Sequence, residues 1–170
     1  FLASSYLLEP CDLQYRKDKT YGLGRDRLLA SIAKPLCMVA DKIGAKPFME
    51  YAMSYALYNY RLVDPQVPLQ YTNLALIRAF EGSPAEHGFI LVHVAMVAHS
   101  GRQVKHTMAI LDATERKDRA AFDAALLEHH RALSDINSTM ETMWKRSSSA
   151  AYDNFRTFIM GTKNQVLHSC

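Results

Sequence analysis

Histidine offers the widest range of chemistry in this sequence, and seven histidines are present. His87, His93 and His99 recur every six residues, about 600° of helix, so neighbours in this set do not share a face. His99 and His106 do share a face, but they lie two turns apart, about 10 Å, which is too far for one metal ion. The sequence has no HExxH motif either, and it therefore argues against a histidine zinc site.

His93 is the polar residue within an apolar segment that runs from Phe89 to Ala98, so we predict that it is buried. A buried imidazole must form hydrogen bonds, because leaving one unpaired costs free energy. Two interpretations follow. It is either a core histidine bound to a backbone carbonyl or a pocket-lining group that exchanges a hydrogen bond with a ligand. His129 allows the same two interpretations, and its place in an apolar stripe favours the structural one.

Arg156 lies among aromatic and apolar residues, in the segment from Tyr152 to Gly161. The planar guanidinium group suits bidentate capture of a carboxylate, such as that of an amino-acid substrate. The alternative is an ordinary surface arginine whose aliphatic stem covers apolar surface. The chain has no Ser-His-Asp order, G-x-S-x-G elbow or Walker motif, so the residues alone predict an apolar pocket near His93 and no reaction.

Helices must position these residues, because apolar residues recur at intervals of three and four along most of the chain. We predict a helix over about 26–43, with a kink at Pro35, and further helices over about 48–61 and 87–111. Two more helices are predicted over 114–144, with Thr114 as N-cap, and over 150–160, with Gly161 as stop. Residues 1–27 are mixed, 64–73 form a loop, and 72–80 form a strand or a helical turn. A stripe on the 114–144 helix predicts one seam against a partner helix: Phe122, Leu126, His129, Leu133, Ile136, Met140 and Met143.

Length and composition bound the fold class. The chain has 170 residues, 49% of them hydrophobic, and a net charge of +3, which predicts one mainly α-helical bundle and gives no sign of nucleic-acid binding. The longest apolar run is too short to span a membrane. Three widely spaced cysteines argue against a disulfide framework and favour a reducing, cytoplasmic location.

Five segments, in order and at fitting distances, resemble the indoleamine 2,3-dioxygenase family of haem enzymes. Residues 88–93, GFILVH, are similar to the family's GFFLVS, and residues 155–164 are similar to its LRxxLSGWKxNP. Residues 55–65 resemble its VLANW…DP segment, with Tyr60 in place of the usual Trp, and residues 32–37 and 46–52 resemble the stretch that leads to the distal pocket.

The resemblance implies a largely helical fold, haem b as cofactor, and insertion of O2 across the indole C2–C3 bond of tryptophan or a related indole. Carried over by position, Phe89 would pack against the indole, Arg156 would pair with the substrate carboxylate, and Tyr51 would border the distal pocket. At the position of His93 animal members carry Ser, whereas the related tryptophan 2,3-dioxygenases place a histidine against the indole N–H. We therefore expect His93 to be the catalytic-site histidine that accepts this hydrogen bond.

The resemblance also implies that the chain is partial. It begins at Phe1, and the family's proximal haem histidine lies well beyond the last matching segment, so none of the seven histidines, including His168, is assigned as iron ligand. We expect residues 1–80 to be the end of the small domain and its connection, and 81–170 to be the first helices of the haem-binding domain. A missing C-terminal half, or self-association, would cover the exposed apolar surface.

Two other functions remain open. A relative that binds haem and O2 without oxidising indoles would share Phe89 and Arg156. A cofactor-free helical interaction module would use the seam between Phe122 and Met143 as its binding surface.

Overall fold

The computed structural model describes residues 1–159 and confirms a mainly helical fold. Within these described residues, seven α-helices are joined by short connections and one small sheet. They are α1 Leu2–Asp18, α2 Ala30–Ile43, α3 Pro84–Val97, α4 Ser100–Glu115, α5 Arg119–Glu141, α6 Met143–Arg146 and α7 Ser149–Arg156. A π-helix, Tyr51–Leu57, and 3-10 turns at Tyr71–Asn73 and Thr157–Ile159 complete the described elements. None of these helices has the length and apolarity needed to cross a lipid bilayer.

Helix α3 is the centre of the molecule. Its residues Ile90, Leu91, Val94 and Ala95 are buried against Tyr55 of the π-helix, and the surrounding core includes Ala56 and Leu74. Because α3 is covered on several sides, its sequence is apolar almost all round rather than amphipathic. Ser83 caps its N-terminus by accepting a hydrogen bond from the Glu86 backbone N–H, 3.2 Å away.

The N-terminal helix α1 forms a second core and was not predicted, since residues 1–27 were assigned as mixed. Leu7, Leu8 and Cys11 pack against Phe158. The spacing of these buried residues is helical, but Pro10 and the polar residues around it weaken the pattern. Cys11 is a buried free thiol.

The tyrosine-rich helix predicted over 48–61 is wrong in extent and type, because the chain forms a seven-residue π-helix and then a strand. The side-chain amide of Asn59 donates to the Tyr55 carbonyl, 3.0 Å, and so competes with continuation of the helix. Strand β1, Tyr60–Leu62, then pairs with β2, Leu74–Leu76, which decides the ambiguity over 72–80. The strands are antiparallel, in the register Tyr60 with Leu76, Arg61 with Ala75 and Leu62 with Leu74.

The long helix predicted over 87–111 is also wrong, because it divides into α3 and α4 at residues 98–99. Bonds of the i to i+3 type tighten this junction, from His99 N–H to the Met96 carbonyl and from Arg102 N–H to the His99 carbonyl. The break separates the buried helix α3 from α4, which is more exposed and has Ala113 as its buried residue.

Helices α4 and α5 form an antiparallel hairpin, with Arg102 ion-paired to Asp135 at 2.5 Å. The predicted cap at Thr114 is wrong. Thr114 lies within α4, and Asp118 caps α5 by accepting from the Ala121 N–H at 3.0 Å. Lys117, with a φ of 53°, makes the turn between them. Gly161, the predicted stop of the last helix, and His168 lie outside the described residues.

The predicted seam on α5 is only partly covered. The fully buried residues of α5 are Ala125 and Ala132, whereas Leu126, Leu133 and Met140 of the seam are exposed. Because alanine side chains are small, α4 and α5 approach each other closely. The contact is made through these alanines, which lie beside the apolar stripe, and not through the stripe itself.

Candidate functional site

Three of the four predicted site residues line one cavity of about 420 Å³. Phe89 and His93 come from α3, and Arg156 comes from the end of α7. The other lining residues belong to the end of α5, to α6, to the link after α6 and to α7: Met140, Glu141, Met143, Trp144, Ser147, Ser149, Tyr152 and Asp153. Large apolar side chains with a few polar groups are typical of a small-molecule site.

An aromatic cluster forms the inner wall of this cavity. The Phe89 ring lies 4.7 Å from the His93 ring, 5.0 Å from Tyr152 and 5.6 Å from Phe155, measured between centroids. Tyr152 and Phe155 meet edge to face at 5.2 Å. Such clusters hold flat aromatic ligands well, because rings prefer tilted or offset contacts with other rings.

His93 is held in one orientation by its own helix. Its Nδ1 lies 2.8 Å from the Phe89 carbonyl oxygen, one turn earlier in α3. A carbonyl only accepts, so Nδ1 carries the proton and, in the neutral ring, Nε2 keeps an unprotonated lone pair. The two interpretations of this histidine are thus compatible, since a carbonyl satisfies one ring nitrogen and leaves the other available. His93 is partly rather than fully buried.

Tyr51 does not line the cavity but contacts its wall. Its ring meets the His93 ring edge to face, with centroids 6.4 Å apart, and lies 5.5 Å from Tyr55. Burial, followed by a smaller influence of Tyr152, raises the pKa of Tyr51 to about 12. Its hydroxyl is therefore a neutral group behind the histidine.

The α6 wall lies unusually close to α3, at Gly88. A Cβ at this position would lie 2.6 Å from the Arg146 carbonyl oxygen and 2.7 Å from the Arg146 Cβ. The Arg146 guanidinium is fixed in turn over the Tyr71 ring, 3.8 Å from its centroid. Glycine at position 88 thus sets the distance between Phe89 and the α6 segment of the cavity.

Among the charged and polar groups that α7 and the loop before it contribute, the sequence identified Arg156 but not Ser147, Ser149, Tyr152 or Asp153. Ser149, Tyr152, Asp153 and Arg156 line the cavity at helical spacing, a signal that was available in the sequence. The hydroxyl of Ser147 is buried and has no hydrogen-bond partner within residues 1–159, so this wall retains unused hydrogen-bonding capacity. Burial raises the pKa of Tyr21. The positive charge of Arg156 lowers this pKa and the negative charge of Asp153 raises it, so both charges lie close enough to act on the Tyr21 hydroxyl.

A haem site needs an apolar wall and an axial ligand to iron. The aromatic and methionine side chains of the cavity fit the first requirement, on the side where a substrate would lie. No group of three or more His, Cys, Asp or Glu residues in the described part of the chain is arranged to hold a metal ion. Haem iron takes its axial ligand from a single side chain, so this finding does not test which residue is the proximal ligand.

Comparison with known proteins gives consistent matches. The sequence model of the family "Indoleamine 2,3-dioxygenase" matches residues 2–169. Indoleamine 2,3-dioxygenase 1 of Mus musculus is 30% identical over 117 residues, which cover 69% of this chain and 27% of the mouse protein. Indoleamine 2,3-dioxygenase nanC of Aspergillus nanangensis is 25% identical over 140 residues, 79% of this chain and 34% of that protein. The chain thus spans about a quarter to a third of the length of these relatives.

Proposed function

Because the chain belongs to the indoleamine 2,3-dioxygenase family, we propose that it supplies the substrate side of a haem-dependent dioxygenase site. The reaction would insert O2 into the indole C2–C3 bond of tryptophan or a related indole, giving an N-formylkynurenine-type product. The observation that carries the proposal is the meeting of Phe89, His93 and Arg156 around one cavity, although Arg156 lies far from the other two in sequence.

Each of these residues would have a separate task. The Phe89 ring would pack against the indole, as the surrounding aromatic cluster supports. His93 would accept the indole N–H at Nε2, since its Nδ1 proton is already donated to the Phe89 carbonyl. Arg156 would donate to the substrate carboxylate, and Tyr51 would hold the imidazole ring from behind.

Haem b, when bound, would supply the binding and activation of O2. Met140, Met143 and Trp144 provide the remaining apolar surface of the cavity and would contact it. The described residues would orient the indole and exclude water from it, and the haemin titration below tests whether a histidine of this chain ligates the iron. This division agrees with the domain proposal, in which residues 81–170 are the first helices of the haem-binding domain and 1–80 lead into it.

A haemin titration tests the cofactor proposal directly. We expect stoichiometric binding to the full chain, with a shift of the Soret band and a ferrous–CO spectrum of histidine-ligated type after reduction with dithionite. Conversion of tryptophan to N-formylkynurenine is the second measurement. Haem uptake without indole turnover would indicate an O2-binding relative, and no uptake would indicate a helical interaction module.

The role of His93 is tested by two substitutions. We expect His93→Ala to weaken tryptophan binding about tenfold, the worth of one hydrogen bond in a partly buried site. His93→Gln keeps an acceptor near the position of Nε2 and should retain most of the affinity. Equal tryptophan affinity and turnover in His93→Ala and the unsubstituted chain would rule out the proposed hydrogen bond.

A further inference from the structure

Helix α7 presents two opposite charges to the cavity. Asp153 and Arg156 both line it and are three residues apart, which places them as neighbours on one helix face. Side chains at this spacing have Cβ atoms about 5–6 Å apart. One carboxylate and one guanidinium therefore border the same space at a separation of one helical turn.

Neither charge is ion-paired within residues 1–159, either to the other or to a third side chain. Elsewhere in this chain helical neighbours of opposite charge do pair, as Arg119 and Asp123 do at 2.8 Å. The centroid of the Tyr152 ring lies 6.0 Å from the guanidinium carbon of Arg156. Both groups thus remain available for a ligand that carries complementary charges.

We propose that Asp153 binds the ammonium group of the indole ligand. This inference rests on the proposed function, in which Arg156 holds the carboxylate. An α-amino acid carries its ammonium and carboxylate on one carbon atom. It would therefore place the two groups against an Asp and an Arg that are one turn apart.

The second carboxylate of the cavity, Glu141, is less suited to this role. It is exposed at the C-terminal end of α5, whereas Asp153 is partly buried and shares the α7 face with Arg156. Partial burial strengthens a charge pair, because solvent screens it less.

Trp144 provides a direct readout, since it is the single tryptophan of the chain and lines the cavity. The experiment follows its indole resonance in the ¹⁵N-labelled full chain. The ligands are L-tryptophan, with both charges, tryptamine, with the ammonium alone, and indole-3-propionate, with the carboxylate alone. Asp153→Asn keeps the side-chain shape and removes the charge. Asp123→Asn on the surface of α5 is the control for net charge.

We expect Asp153→Asn to weaken binding of tryptamine and tryptophan about fivefold, the worth of a well-placed, partly exposed charge pair, without weakening indole-3-propionate. Arg156→Gln should weaken tryptophan and indole-3-propionate but spare tryptamine. If Asp153→Asn affects tryptamine no more than Asp123→Asn does, the ammonium proposal is overturned while the proposed function stands. If none of the three ligands shifts the Trp144 resonance, the cavity does not take indoles and both proposals fail.

Discussion

At the scale of single residues, the least expected feature is the carboxylate of Glu86, which is fully buried at 0% exposure. It accepts hydrogen bonds from the Tyr55 hydroxyl at 3.0 Å and from the backbone N–H groups of Phe80, Glu81 and Gly82 at 2.8–2.9 Å. These four donors replace the hydrogen bonds to water that the carboxylate loses when it is buried. The arrangement fixes the turn before α3 and thereby the helix that carries Phe89 and His93.

Tyr55 makes this network sensitive to alkaline pH. Burial, then the charge and hydrogen bond of Glu86, raises the pKa of Tyr55 above its ordinary value. Below about pH 10 the tyrosine is protonated in the folded and unfolded states alike, and its contribution to stability is fully present. Above that pH the unfolded chain releases the proton and the folded chain keeps it, so stability falls.

We therefore expect the free energy of unfolding to decrease by about 1.4 kcal/mol per pH unit above pH 10 on account of Tyr55. Tyr51, whose pKa is raised to about 12, adds to the loss over the same range. Urea unfolding between pH 9 and 11 measures the slope, and Tyr55→Phe should make it shallower. Tyr58→Phe removes a hydroxyl from a side chain that is 79% exposed and serves as control. Equal slopes in the two variants would contradict this account.

At the scale of elements, the cavity depends on how closely α6 approaches α3. This distance is set by the absence of a side chain at Gly88, where backbone and Cβ atoms of Arg146 would meet any Cβ. Gly101, at the start of α4, has no atom within 4 Å of the corresponding position. The two glycines therefore form a matched pair for substitution.

We expect Gly88→Ala to destabilise the fold by about 1–3 kcal/mol, because the helices must separate. Gly101→Ala should be neutral or stabilising, by up to about 1 kcal/mol, because alanine has the higher helix propensity. Chemical denaturation measures both changes. The Trp144 resonance should move in the Gly88 variant and not in the Gly101 variant, and the opposite pattern would show that α6 is positioned by other contacts.

At the scale of the whole molecule, the α4–α5 hairpin exposes a stripe of large apolar side chains. Val104, Met108 and Leu111 follow at intervals of four and three on α4 and are 62%, 60% and 53% exposed. Leu133 of α5 is 41% exposed and adds to the apolar surface of the hairpin. Contiguous apolar surface of this kind usually contacts another polypeptide. The relatives are much longer than this chain, because the matched residues cover only 27% and 34% of them, and a protein of their length would hold further polypeptide to cover the stripe.

We expect the isolated chain to self-associate through this stripe. Sedimentation velocity over a range of concentrations should show species larger than the monomer, and Met108→Lys should shift the distribution toward monomer. Thr107→Lys, which adds the same charge at the neighbouring exposed position, should have a smaller effect. A single monomer boundary at high concentration would refute the prediction.

The sequence by itself determined the family and the mainly helical class, because local periodicity and short motifs carry that information. It also predicted Phe89, His93 and Arg156 as site residues, and all three line one cavity. It did not determine where helices end. The breaks at 98–99 and after Leu57 depend on burial around α3 and on the Asn59 side chain, which are properties of the packed molecule. Only the tertiary structure placed α7 opposite α3. That packing joined two segments that are distant in the sequence into one cavity. It also placed Asp153 in the cavity wall beside Arg156, where one ligand can contact both charges.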